Sequence, residues 1–218
     1  MKQFTSDPLA VPKHIADSTV RRLSLYLRFV EEALGRGLHT ISSGALAALG
    51  GTTSAQVRKD LSFFGSFGKR GLGYPIPELV ARLRDILGLE REWRVVIVGA
   101  GRIGSALAHY PGFSQHGFRV IGVYDNDADK IGRSWDGHAI RDVAHLARDA
   151  AREKPDIAVL AIPSDTAQAT ADLVVKAGLR AILNFAPTPL RVPDAVTVRT
   201  VNMALELEGL SYALAHKR

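Results

Sequence analysis

A chain of 218 residues, 46% hydrophobic and 23% charged, is long enough for about two domains with buried cores, and so ordinary a composition excludes wholesale disorder and collagen-like repeats. It contains no cysteine, which excludes disulfides and cysteine-held zinc; no apolar run reaches the ~18 residues of a membrane span and the amino terminus lacks the apolar core of a secretory signal, so a cytoplasmic location without a membrane partner is expected. The net charge of +6 is unevenly placed, with ten Lys and Arg against five Asp and Glu in residues 1–74 and a nearly neutral remainder, which points the first third towards a polyanion.

Val20, Leu23, Leu27, Val30 and Leu34 recur at steps of three and four and predict an amphipathic helix, capped by Asp17, Ser18 or Thr19 and ended by Gly35 and Gly37. A shorter helix is expected from Ser42 through Leu49, with Ile41 and Leu46 at the two positions of a hydrophobic staple and Gly50-Gly51 as its stop. A third begins at Thr53, whose hydroxyl caps it while Gln56 reaches back in a capping box; Val57, Leu61 and Phe64 form its buried stripe. Two helices joined by a tight glycine turn, after a first, read as a helix-turn-helix with the third helix as the recognition helix. The Gly-punctuated stretch from Gly65 to Tyr74 reads as a hairpin, or wing. Candidate DNA contacts are Ser54, Gln56, Arg58 and Lys59 on the third helix and Lys69 and Arg70 on the wing. Short glycine-bounded helices with a solvated basic face are common in other proteins too; the basic wing and the local charge favour DNA here.

Pro77, Leu79, Leu83, Ile86 and Leu87 predict a linking helix that ends at Gly88, which sets a DNA-binding domain at 1–88. From Trp93 the texture changes. Continuous apolar runs at 95–98, 120–123, 157–162, 181–183 and 196–201 are the mark of strands buried on both faces of a parallel sheet. Helical stretches at 103–109, 143–151 and 167–177 lie between them, so residues 89–200 are expected to form a doubly wound α/β domain. The last stretch, 201–218, reads as a terminal helix from Met203 to Ala215 with apolar residues round much of its circumference, a surface that wants a partner such as a second subunit.

Directly after the first of these strands comes Gly99-Ala100-Gly101-Arg102-Ile103-Gly104, the spacing G-x-G-x-x-G, with Asp125 twenty-one residues beyond Gly104. Gly99 suits a tight turn, Gly101 a close approach of backbone to a pyrophosphate, and Gly104 the packing of helix on strand. Asp125 would bind ribose hydroxyls and repel a 2′-phosphate, which favours NADH/NAD+ over the phosphorylated cofactor; Asn126 and Lys130 lie close by in sequence. Ile162 and Pro163 after the fourth strand, and Phe185 and Pro187 after the fifth, would line the far side. Coenzyme A or another nucleotide fits the same architecture. The seven histidines show no metal-ligand spacing, and beyond about residue 200 only one helix remains, which leaves no substrate domain. No catalytic residue and no metal ligand is expected, and a regulator is favoured over the alternative of an NAD-dependent oxidoreductase with an appended helical domain.

The segments 20–29, 57–65 and 68–74, the GAGRIG turn and Asn184-Phe185-Ala186-Pro187 together resemble the Rex redox-sensing repressors nearly end to end. The resemblance implies a cytoplasmic homodimer whose winged-helix domains bind a palindromic operator, whose Rossmann domains bind NADH, and which NADH releases from DNA. It also implies a carboxy-terminal helix exchanged between subunits. Members of the family are similar in linking an Arg of the first helix, a Tyr of the first Rossmann helix and an acidic residue before the terminal helix in a switch; the matching positions are Arg22, Tyr110 and Asn202. Asn202 departs from the expected acid, so a neutral hydrogen bond would replace an ionic link.

Overall fold

The computed structural model describes residues 15–65, 68, 72–135 and 137–216. The chain forms two compact units that part between Arg91 and Glu92.

In the first unit, α1 (Asp17–Gly35) is followed by a short strand β1 (Thr40–Ile41), α2 (Ser43–Leu49), α3 (Ser54–Ser62), a second short strand β2 (Tyr74–Pro75) and α4 (Ile76–Ile86). The polar starts of α2 and α3 lie where the sequence puts them. Ser42 Oγ accepts the Ala45 N–H at 3.0 Å and Thr53 Oγ1 accepts the Gln56 N–H at 3.1 Å, each satisfying a donor that a helix start leaves open. Ile41 and Leu46 are buried in the unit's core, with Leu23, Tyr26, Leu27, Val30, Val57, Leu61, Phe64, Leu79 and Leu83.

The structure departs from the sequence expectation at the start of α1, along its buried face and at Gln56. α1 starts from Ala16 with no side-chain cap, in place of Asp17, Ser18 or Thr19. Its buried face runs through Thr19, Leu23, Tyr26, Leu27, Val30 and Ala33, while Val20 and Leu34 are exposed; the helix is turned so that Arg22 and Tyr26 reach a buried carboxylate on α3. Gln56 does not complete a capping box, because its amide donates to that same carboxylate, Asp60. Strand β2 pairs antiparallel with β1, Tyr74 opposite Ile41, so the chain returns to the strand before the helix-turn-helix; most of the expected wing, residues 66, 67 and 69–71, lies outside the described residues.

In the second unit the elements are β3 (Trp93–Val98), α5 (Arg102–Ala108), α6 (Pro111–Gln115), β4 (Phe118–Asp125), β5 (Ser134–Trp135), β6 (His138–Asp142), a 3-10 turn (Val143–His145), α7 (Leu146–Glu153), β7 (Ile157–Leu160), α8 (Ser164–Lys176), β8 (Ala181–Asn184), β9 (Thr197–Thr200) and α9 (Met203–Ala215). The sheet runs β5-β6-β4-β3-β7-β8-β9, parallel throughout except for the edge pairing of β5 with β6. Counted from β3, the parallel strands lie in the order 3-2-1-4-5-6, the doubly wound Rossmann arrangement. The order reverses at β3, whose last residue, Val98, pairs with Tyr124 of β4 on one side and Leu160 of β7 on the other. A ligand crevice opens at such a switch point, beyond the carboxyl ends of the strands. The sequence reading misses β5, β6 and α6: β6 buries only Ile140 of its five residues and so lacks the apolar run of an inner strand, and α6 is a single five-residue turn.

Candidate functional site

The turn after β3 is built by close contacts that exclude side chains at two positions. Gly99 has φ +107°, and a Cβ there would stand 2.3 Å from the Ala161 carbonyl oxygen; a Cβ on Gly104 would stand 1.8 Å from the Gly99 carbonyl oxygen. These approaches bring β3, α5 and the strand end at Ala161 together. Gly101, at the start of α5, is different: the space around its would-be Cβ is open. That open space beside bare backbone is where a pyrophosphate can approach, so the turn fits a dinucleotide.

Asp125 ends β4 and is buried. Its Oδ2 accepts the Ala100 N–H at 2.6 Å and lies 3.3 Å from the Lys130 ammonium, while Oδ1 accepts the Asp127 N–H at 2.9 Å. One carboxylate therefore holds the glycine-rich turn and the loop after β4 in place. Asp125 also lines a cleft of about 510 Å³. Of the residues expected to bind a cofactor, Gly99, Gly101, Asp125, Asn126, Lys130, Ile162 and Pro163 line this cleft. Ala100, Arg102, Ile103, Gly104, Phe185 and Pro187 do not. Gly104 acts by packing, and Arg102 and Ile103 are exposed on the first turn of α5.

The opposite wall consists of Asp165, Thr166, Ala169, Thr170 and Leu173 on α8, with Val143 before α7. The sequence reading did not single these out. Their i, i+4 and i, i+3 spacing was the available signal, since it places them on one face of the helix that follows Pro163.

Phe185 sits half-buried against the core cluster of Val95, Ile97 and Val159, on which Leu107 and Ala108 also pack. Asn184, fully buried, shapes this end of β8: its amide donates to the Ala186 and Thr188 carbonyls at 3.1 and 2.9 Å, and its Oδ1 accepts the Ala186 N–H at 2.9 Å. The Asn-Phe-Ala-Pro sequence is thus a turn held by its own first side chain, with Phe185 fixed by it. Tyr110, expected on the first Rossmann helix, lies past the end of α5 and immediately before α6; it is half exposed and meets Phe113 edge-on at 5.4 Å. Asn202 caps α9, its Oδ1 accepting the Ala204 N–H at 3.0 Å.

On the first unit, Asp60 of α3 is fully buried and takes four hydrogen bonds. Arg22 Nε and Nη2 meet Oδ2 and Oδ1 at 2.6 and 2.7 Å, the Tyr26 hydroxyl donates to Oδ2 at 3.0 Å, and Gln56 Nε2 donates to Oδ1 at 2.8 Å. Burial alone would raise the Asp60 pKa, but donation from Arg22, Gln56 and Tyr26 leaves it below the ordinary carboxylate value. The same burial, with donation to Asp60, pushes Tyr26 up to about 12. Arg22 is therefore engaged within its own unit. Arg58 and Lys59 are exposed on α3, Arg58 donating to Ser43 Oγ at 3.0 Å, and Ser54 is half-buried at its first turn. Lys69 and Arg70 lie outside the described residues. Among the described residues no group of acidic, histidine or cysteine side chains is arranged to hold a metal ion, and no helix is long and apolar enough to cross a membrane.

Two family models match. One described as "Putative DNA-binding protein N-terminus" covers residues 14–62, and one described as "CoA binding domain" covers 90–188. The redox-sensing transcriptional repressor Rex of Carboxydothermus hydrogenoformans is 45% identical over 198 residues, 91% of this chain and 95% of that protein. The chain belongs to the Rex family. The Rex repressor of a Roseiflexus species is 43% identical over 91% of this chain and 90% of its own length. Among solved structures, the Rex-family repressor RSP in complex with NAD+ and operator DNA is similar at a TM-score of 0.88 with 40% identity, over 92% of this chain and 93% of that one. The NADH complex of RSP is similar at a TM-score of 0.83 with 38% identity, over 92% and 94%.

Proposed function

We propose that this Rex-family chain is a redox-sensing transcriptional repressor: a cytoplasmic homodimer that binds a palindromic operator through its first unit and is released from it by NADH bound to its second. The observation that carries this reading is the pairing, in one chain, of a helix-turn-helix with an exposed basic recognition helix and a Rossmann turn with open space at Gly101 and a buried acid at Asp125. The likeness to RSP, whose structures hold NADH in one case and NAD+ with operator DNA in another, extends over both units.

In this reading Ser54, Gln56, Arg58, Lys59, Lys69 and Arg70 contact DNA, the last two from the wing. Gly99, Ala100, Gly101, Arg102, Ile103 and Gly104 form the pyrophosphate turn, Asp125, Asn126 and Lys130 meet the ribose, Ile162 and Pro163 border the cleft, and Phe185 and Pro187 stand beside the nicotinamide. NADH and NAD+ differ by a positive charge on that ring, which half-buried Phe185 does not offset, so NADH is the better ligand of the released state. Arg22, Tyr110 and Asn202 occupy the switch positions. Asn202 is neutral and caps α9, so its part in the switch is a hydrogen bond rather than an ion pair. The protein turns over no substrate: it binds, and the bound cofactor sets which arrangement is stable.

Release requires that NADH bind the DNA-free form more tightly, by ~1.4 kcal/mol for each tenfold loss of operator affinity. A duplex chosen by selection from random sequence is titrated with the full chain alone and with NADH, NAD+, NADPH and coenzyme A in parallel. Weakening by NADH above all others is the expected result. Weakening by coenzyme A alone would support a regulator that senses coenzyme A instead, a reading to which the match of residues 90–188 lends weight.

A further inference from the structure

Gln56 stands at the third position of α3, partly exposed, where the first turn of a recognition helix meets base edges. Asp60 lies one turn on, fully buried. Because an ionised carboxylate accepts only, the group of Gln56 that faces it must be the amide nitrogen, and the 2.8 Å contact is between Nε2 and Oδ1. Asp60 cannot swing away to relax this contact, since Arg22 grips both its oxygens and Tyr26 donates to one of them. The flip of the Gln56 amide is thus dictated by a buried ion pair. A free glutamine presents oxygen or nitrogen at will; this one leaves its oxygen and one N–H for an outside partner.

We propose that Gln56 reads an adenine in the major groove of each operator half-site and that Asp60 is the positioning residue that orients it. This rests on the reading of α3 as the recognition helix. Adenine offers there a donor, the N6 amino group, beside an acceptor, N7, and so matches an amide oxygen beside an N–H. Guanine offers O6 and N7, two acceptors, and would set O6 against the Gln56 oxygen. With the flip held, the amide cannot turn to suit guanine, so the preference is stricter than that of an unrestrained glutamine. Arg58 and Lys59 are cations without an acceptor for the N6 amino group, and a donor to N7, which guanine also carries, does not single out adenine.

The experiment selects operator half-sites from a random duplex library with the full-length protein and with Gln56→Met, which keeps the length of the side chain but removes its amide, and measures affinity for all four bases at each position. The wild type is expected to prefer adenine over guanine at one position by roughly tenfold or more. Gln56→Met loses that preference alone, and the dependence on salt is unchanged because no phosphate contact is lost. Asp60→Asn, if it folds, narrows the adenine preference without abolishing binding. A uniform fall at every sequence in Gln56→Met, or an unaltered base profile, overturns the assignment. Failure of the wild type to bind any duplex would instead overturn the reading of α3 on which it rests.

Discussion

Arg22 of α1 and Asp60 of α3 meet in a two-point ion pair, Nε to Oδ2 at 2.6 Å and Nη2 to Oδ1 at 2.7 Å, across 38 residues of sequence. The carboxylate is fully buried and the guanidinium about a quarter exposed. Breaking such a pair from one side leaves a charge without a partner, which is why its loss costs more than its formation contributes.

Replacing Arg22 with Ala should therefore destabilise the first unit by about 3 kcal/mol, read as a lower urea midpoint of the full chain. The pH dependence has two limbs. Asp60 titrates below its ordinary value, so its contribution is present above about pH 4 and is lost as pH falls through the depressed folded value. Tyr26 is raised to about 12; its contribution is present below about pH 10, the ordinary tyrosine value, and is lost as pH rises towards 12. An acid limb that is unchanged in Asp60→Asn would show that this carboxylate does not set it.

Gly101 and Gly104 should respond in opposite ways to alanine. Gly104→Ala drives a methyl into the Gly99 carbonyl and should cost at least ~2 kcal/mol of stability. Gly101→Ala meets no atom within 4 Å and has a backbone that any residue adopts, so stability should change by less than about 0.5 kcal/mol. In the proposed function its methyl would enter the space of the pyrophosphate, and NADH affinity should drop ~tenfold or more. Thermal unfolding and fluorescence titration with NADH separate the two effects.

At Asp125 the size of the replacement matters. Asp125→Asn keeps an oxygen for the Ala100 N–H and removes the negative charge, so NADPH should gain relative to NADH. Asp125→Ala also releases the glycine turn and should weaken both cofactors. Parallel titrations with NADH and NADPH give the ratio; an unchanged ratio in Asp125→Asn would place the ribose contact on another residue.

Met203, Leu205, Leu207, Leu210, Tyr212 and Leu214 of α9 are each 61–74% exposed, an apolar surface that water disfavours. If a second copy covers it, truncation before Met203 should convert a dimer into a monomer in sedimentation while leaving the unfolding of the first unit unchanged. A truncated chain that still sediments as a dimer would place the interface elsewhere.

What sequence alone reveals follows from how local each cause is. The caps at Ser42 and Thr53, the staple of Ile41 and Leu46 and the approach of Gly104 to the Gly99 carbonyl depend on neighbours within six residues, and all stand where their spacing puts them; the contact of Gly99 with Ala161 is set by the sheet. The burial of Asp60 depends on Arg22 and Tyr26, more than thirty residues away, and no pattern in α3 announces it. Gln56 shows the conflict directly. Its local role as a capping-box partner of Thr53 yields to a charge-assisted bond to Asp60. Strand β6 is hidden for another reason, since an outer strand that buries only Ile140 carries little apolar signal. The α8 wall of the cleft is legible as a helix, and only the fold shows which of its faces lines the cleft.

The proposed switch rests on linkage between the cofactor cleft and the operator. Its most direct test is the dissociation constant of NADH, measured by calorimetry on the free protein and on the same protein saturated with its selected duplex. NADH is expected to bind the DNA complex more weakly, by the same factor through which NADH weakens the operator, with a smaller factor for NAD+. Equal affinity of NADH for the free and the DNA-bound protein would contradict it.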